Sequence, residues 1–122
     1  MFKIDGDTIH ITRGDKGVIE LTIDDYTFSV GDTVELRVYA KDGLNKLPVL
    51  AKEITVTEET ETIDIELTSE DTRIGEMQNK AKEYWYEIEL NDNQTVVGYD
   101  EEGAKILMLY PEGVEADDTN QV

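Results

Sequence analysis

Few residues in this chain have the types and spacing that chemistry needs. Its one histidine, His10, sits between Ile9 and Ile11 in an alternating run, so it points with Thr8 and Thr12 to the opposite side. A general base needs a positioned partner within hydrogen-bond reach, and no neighbouring residue supplies one. Ser29 and Ser69 both lie outside any Gly-x-Ser-x-Gly elbow. The chain has no cysteine, which removes thiolate nucleophiles, disulfides and cysteine-based zinc sites. The expectation is a non-enzymatic protein with no cofactor and no dedicated metal.

Carboxylates are the exception to this scarcity. Asp5-Gly6-Asp7, Asp24-Asp25, Asp42-Gly43, Asp92 and Asp100-Glu101-Glu102 invite a calcium reading. Calcium takes roughly six to eight oxygens converging on one point, and no EF-hand loop is present to supply them. Asp and Gly are also the residues that turns use. Arg13-Gly14-Asp15 spells an adhesion tripeptide, but a tight turn accounts for it equally. The candidate interface residues are Trp85 and Tyr39, because aromatics on an outer sheet face serve protein contacts or sugar stacking. The plainer alternative packs Trp85 beneath the Gly75–Lys82 stretch or the terminal segment.

Charge narrows the partners. Twenty-nine acidic residues face 11 basic ones, a net charge of −18 in 122 residues. Such a surface repels phosphate backbones and anionic headgroups, so neither nucleic acid nor membrane is an expected partner. Apolar runs are only a few residues long, too short for a transmembrane helix. The start, MFKIDGDTIHI, lacks a signal-peptide pattern. With the absence of cysteine, these features fit a protein made in a cytoplasm, a bacterial one if the resemblance given below holds.

Positioning elements follow from period 2. Met1–Ile4 and Thr8–Thr12 are short β pieces around a turn, and Gly17–Ile23 alternates with Ile19, Leu21 and Ile23 on one face. Thr33–Ala40 is the cleanest strand, with Val34, Leu36, Val38 and Ala40 on one side and Glu35, Arg37 and Tyr39 on the other. Pro48 marks the start of a strand over Val49–Thr57, where Lys52 shares the side of Leu50, Ile54 and Val56 and so suggests a sheet edge. Thr62–Leu67 turns Ile63, Ile65 and Leu67 inward.

Thr68-Ser69-Glu70-Asp71 reads as a helix cap, which predicts one or two turns of helix near 69–75 with Ile74 and Met77 at helical spacing. Glu83–Leu90 returns to period 2, with Tyr84, Tyr86, Ile88 and Leu90 on one face and Trp85, Glu87 and Glu89 on the other. Asn91-Asp92-Asn93 is the strongest hairpin signal, because Asn and Asp tolerate a left-handed backbone. Gln94–Tyr99 and Ala104–Tyr110 complete the set.

Short strands recurring about every ten residues, without βα alternation, predict an all-β fold. The expected architecture is an immunoglobulin-like antiparallel β-sandwich of seven to nine strands with one short helix. A small closed barrel is the alternative. Residues 1–111 form one domain in this reading, and 112–122 an acidic tail expected to be disordered.

Two resemblances extend the reading. Leu67-Thr68-Ser69-Glu70-Asp71-Thr72 followed by Tyr84-Trp85-Tyr86 is similar to the corner of an immunoglobulin domain, with Tyr84 in the tyrosine-corner place and Tyr86 where such domains carry a cysteine. The second covers about residues 8–110. It runs through Ile11-Thr12-Arg13-Gly14-Asp15, Gly31-Asp32-Thr33-Val34, Lys52-Glu53-Ile54, Leu67–Thr72 and Tyr84–Leu90. In that order these motifs resemble the small immunoglobulin-like domains of tailed-phage and prophage structural proteins, nearest the N-terminal domain of baseplate upper proteins. Glu83 stands where that pattern has glycine, and the Gly75–Lys82 segment is longer than in the pattern.

The resemblance implies a structural or adaptor domain of a phage-derived particle, tail or baseplate associated. Its partners would be other phage structural proteins or further copies of itself, and its final location the virion. The chain ends where such a domain ends, so no receptor-binding or fibre domain is expected to follow. The competing class is a ligand-binding module, for carbohydrate or for calcium-dependent adhesion.

Overall fold

Alternation of apolar and polar side chains produces nine strands, which a computed structural model describes over residues 1–76 and 79–112. They are β1 (Phe2–Asp5), β2 (Thr8–Thr12), β3 (Gly17–Thr22), β4 (Thr33–Ala40), β5 (Leu50–Thr55), β6 (Thr62–Leu67), β7 (Lys82–Leu90), β8 (Gln94–Val97) and β9 (Lys105–Tyr110). Strands β4 and β6 have the bounds that period 2 predicts.

The large sheet runs β1-β2-β9-β7-β4-β5, and β8 joins β7 beside β9. β8 pairs with the Ile88–Leu90 part of β7 and β9 with its Lys82–Tyr86 part, so the two act as halves of one interrupted strand. The second sheet is only β3 against β6. It forms a narrow roof over a broad floor.

The core lies between them. Ile9 and Ile11, Val34, Leu36 and Val38, Tyr84, Tyr86 and Ile88, and Leu107 and Leu109 come from the floor; Ile19, Leu21, Ile63, Ile65 and Leu67 come from the roof, and all are buried. Phe28, fully buried, joins them from the loop after β3, where its backbone bridges to Thr60. Each fully buried apolar side chain of this size contributes about 1.5–3 kcal/mol.

The all-β sandwich is therefore the observed architecture, with two differences from expectation. β2 pairs with β9 in parallel, through Ile9 with Leu107 and Ile11 with Leu109, so the sheet is mixed rather than antiparallel throughout. Alternation determines which face a side chain takes but not which way the neighbouring strand runs.

The predicted helix near 69–75 is instead a turn. Thr68 N–H donates to the Asp71 carboxylate at 2.9 Å and Asp71 N–H to the Thr68 hydroxyl at 3.1 Å, so the cap closes on itself. One i→i+4 bond follows, Thr72 to Thr68 at 3.2 Å, and Gly75 at φ 65° ends the turn. Met77 and segment 113–122 lie outside the described residues. Among the described residues no helix is long and apolar enough to cross a membrane.

Two flanks follow from the mismatch in width. At one, a Cβ on Gly17 would lie 2.4 Å from the Phe2 ring, so β1 packs its aromatic directly on the start of β3. At the other, Lys52 Nζ of β5 reaches Asp71 Oδ2, just beyond β6, at 2.6 Å. The roof strand β3 thus lies on the β1 side and β6 on the β5 side.

Candidate functional site

Side chains of opposite parity to the core cover the outer face of the floor. Register places Tyr39 beside Trp85 and Trp85 beside Ile106, one row across β4, β7 and β9. The next rows pair Arg37 with Glu87 and Glu35 with Glu89. Arg37 is the organising cation. It donates to Glu89 Oε1 at 2.8 Å, lies 3.5 Å from Glu87 Oε2 and 3.7 Å from Asp92 Oδ1, and is ion-paired to Glu35. Four carboxylates around one guanidinium leave that end of the face acidic.

Trp85 is half-buried on this face, as period 2 predicts. Its indole N–H donates to Glu83 Oε2 at 3.1 Å, and its ring is 6.0 Å from Tyr99, tilted by 54°. Tyr99, 62% exposed, comes from the excursion between β8 and β9. Trp85 is therefore flanked by Tyr99; of the two segments that its sequence position suggested, residues 77–78 and 113–122 lie outside the described residues.

Tyr39 departs from expectation. It has the outward parity but is only 5% exposed, and its hydroxyl donates to Glu87 Oε2 at 3.0 Å. Burial, then the Glu87 hydrogen bond, push its hydroxyl above the ordinary tyrosine range. It supports the surface beside Trp85 but offers almost no ring of its own.

The other candidates are tied into structure. His10 Nδ1 is 2.8 Å from the Tyr110 hydroxyl. Arg13 donates to the Ile74 and Gly75 carbonyls at 3.2 and 2.9 Å and to Glu112 at 2.9 Å. Gly14 takes φ 89° and Asp15 N–H bonds back to Thr12 at 2.9 Å, so the Arg-Gly-Asp sequence is a turn fastened to the β6–β7 connection. Among the described residues no group of three or more His, Asp or Glu is placed to hold a metal ion.

The Tyr84 hydroxyl is buried and finds no hydrogen-bond partner among the described residues. Tyr86 bonds across the fold, donating to the Asp7 carbonyl at 2.6 Å. Burial, with Asp7 nearby, pushes its hydroxyl up to about 12.

Two buried polar residues went unread in the sequence. Lys105 is 8% exposed, with Nζ at 2.9 Å from Asp100, 3.8 Å from Asp7 and 3.9 Å from Glu102. Its hydrogen bond holds the Asp100 carboxyl below its ordinary range. Lys105, Asp100 and Asp7 border a shallow groove of about 290 Å³ beside Tyr99. The available signal was parity, since Lys105 shares the side of Leu107 and Leu109. Thr72, 1% exposed, accepts from Gly14 N–H at 2.9 Å and donates to the Asp15 carbonyl at 2.7 Å.

Compared with known proteins, the chain matches no protein-family model, no curated protein and no solved structure.

Proposed function

We propose that this chain is a non-enzymatic structural or adaptor domain of a phage-derived particle, associated with its tail or baseplate, and that it works through protein–protein contact. The observation that carries the contact reading is the outer face of the floor. There Trp85, Tyr99 and Ile106 form an aromatic-apolar strip beside a rim of acids pinned by Arg37. An aromatic centre with a charged rim is the composition of a protein interface. The phage assignment rests on the motif order that resembles baseplate-type domains. Negative-stain imaging of particles made with and without the gene tests it. The expected result is an incomplete tail or baseplate without the gene; intact particles lacking the protein overturn the assignment.

The tilted Trp85–Tyr99 pair favours one second reading, a carbohydrate-binding module. Glycan titration followed by Trp fluorescence and melting temperature separates the two. A bound sugar stabilises the chain according to its concentration over its dissociation constant. No response removes this reading.

A further inference from the structure

The roof is narrower than the floor, and the β5–β6 flank bears the consequence. On β4 the inward residues Val34, Leu36 and Val38 are no more than 1% exposed. One strand further out, register places Leu50, Lys52 and Ile54 on the same inward side, yet all three are half-exposed. The roof strand nearest them, β6, pairs with β3 on one edge only among the described residues. An edge of β6 that is unpaired among the described residues thus lies beside a half-covered strip of matching length, six residues in each strand, in which Leu50 and Ile54 flank the Lys52–Asp71 ion pair.

The two edges on this flank differ in protection. β5 carries an inward-facing lysine, a feature that discourages edge pairing. β6 has none: Ile63, Ile65 and Leu67 are inward and buried, and Thr62, Asp64 and Glu66 line the other side. On the opposite flank the Phe2 ring already rests on Gly17 at the start of β3, so a strand entering there must displace it.

We infer that the β6 edge accepts an extended segment from a partner protein as a third roof strand, the segment alternating apolar with basic residues. Its apolar side chains cover Leu50 and Ile54, and its Lys or Arg side chains lie beside Asp64 and Glu66. Backbone bonds supply affinity and the alternating side chains supply selectivity. Charge selects against two other occupants. A second copy would set Asp64 and Glu66 against acids of another chain with net charge −18. Segment 113–122 carries Glu115, Asp117 and Asp118 and no basic residue.

This inference rests on the protein-contact reading above. It is tested on the isolated chain, whereas that reading is tested on assembled particles, so each can fail without the other. The probe is a synthetic acetylated hexapeptide alternating Val and Lys, with a control of the same composition arranged as a Val block and a Lys block. Amide hydrogen exchange is followed strand by strand. The alternating peptide is expected to slow exchange across Thr62–Leu67 roughly tenfold and leave β4, already paired on both edges, unchanged.

Asp64→Lys combined with Glu66→Lys, both exposed changes, is expected to transfer the response to a Val–Glu peptide. Equal protection by the block peptide, protection at β3 or β5 instead of β6, or none at all overturns the inference. So does β6 exchange that slows with protein concentration, which identifies a second copy. Exchange that quickens in a chain ending at Glu112 identifies segment 113–122 as the occupant and overturns it too.

Discussion

β5 and β6 border the same flank and meet it in opposite ways. β6 sends Ile63, Ile65 and Leu67 fully into the core and keeps its charges on the solvent side. β5 leaves Leu50 and Ile54 half-covered and turns Lys52 inward to Asp71. One strand is stabilised by burial and has an open edge; the other is weakly buried and guarded by a charge. Stability and availability for pairing are thus divided between neighbouring strands.

The largest effect that tests this contrast is truncation of each strand's central apolar side chain. Ile65→Ala is expected to destabilise by about 2–5 kcal/mol, and half-exposed Ile54→Ala by about 1 kcal/mol or less. Urea denaturation measures both, and equal losses would break the comparison.

Next comes alkali. Tyr86 is raised from 10.0 to about 12, so the folded state favours the neutral phenol. Its contribution is complete below pH 10 and is lost as pH rises from 10 towards 12, a loss of about 3 kcal/mol. Tyr86→Phe is expected to remove that part of the alkaline limb and leave the acid limb unchanged. An unaltered alkaline limb would place the titrating group elsewhere.

A smaller effect is expected from the ion pair between the strands. Burial alone would raise Asp71, but hydrogen bonds from Lys52 and Thr68 outweigh it, and its carboxyl lies below 3.8. The stability it contributes is therefore complete above pH 3.8 and is lost as pH falls through the lower folded value. Lys52→Met is expected to cost about 1 kcal/mol or less at neutral pH and to flatten that acid limb. It also removes the guard from β5, so gel filtration is expected to show more self-association. Smallest of all, Glu66→Lys on the solvent side of β6 is expected to move stability by about 0.5 kcal/mol or less.

Much of the architecture was legible because half-burial imposes period 2. The parity of β6 and β7, and of β4 from Val34 to Val38, separates the core from the outer face, while inward-read Ala40 is exposed; Asn91 and Asp92 do adopt positive φ, at 55° and 58°. Three features depend on partners that no local pattern names. The capping residues Thr68 and Asp71 satisfy each other within four residues, so no helix has to follow. The parallel pairing of β2 with β9 joins opposite ends of the chain. Outward parity on Tyr39 does not reveal that neighbouring side chains cover it. Trp85 was legible as a surface aromatic; Tyr99, its neighbour, was not, because the last strand is interrupted before Lys105.

The parallel β2–β9 pair has a mechanical meaning. Tension applied at Met1 and Glu112 pulls β2 and β9 in opposite directions along their own axes. Its bonds, from Ile9–Leu107 to Thr12–Tyr110, are then loaded together in shear rather than one at a time. β1, folded back antiparallel on β2, is instead unzipped pair by pair from Phe2–Ile11 towards Asp5–Thr8. A stretched chain is expected to release this outer hairpin at low force and then resist at β2–β9, like a short leader attached to a clamp.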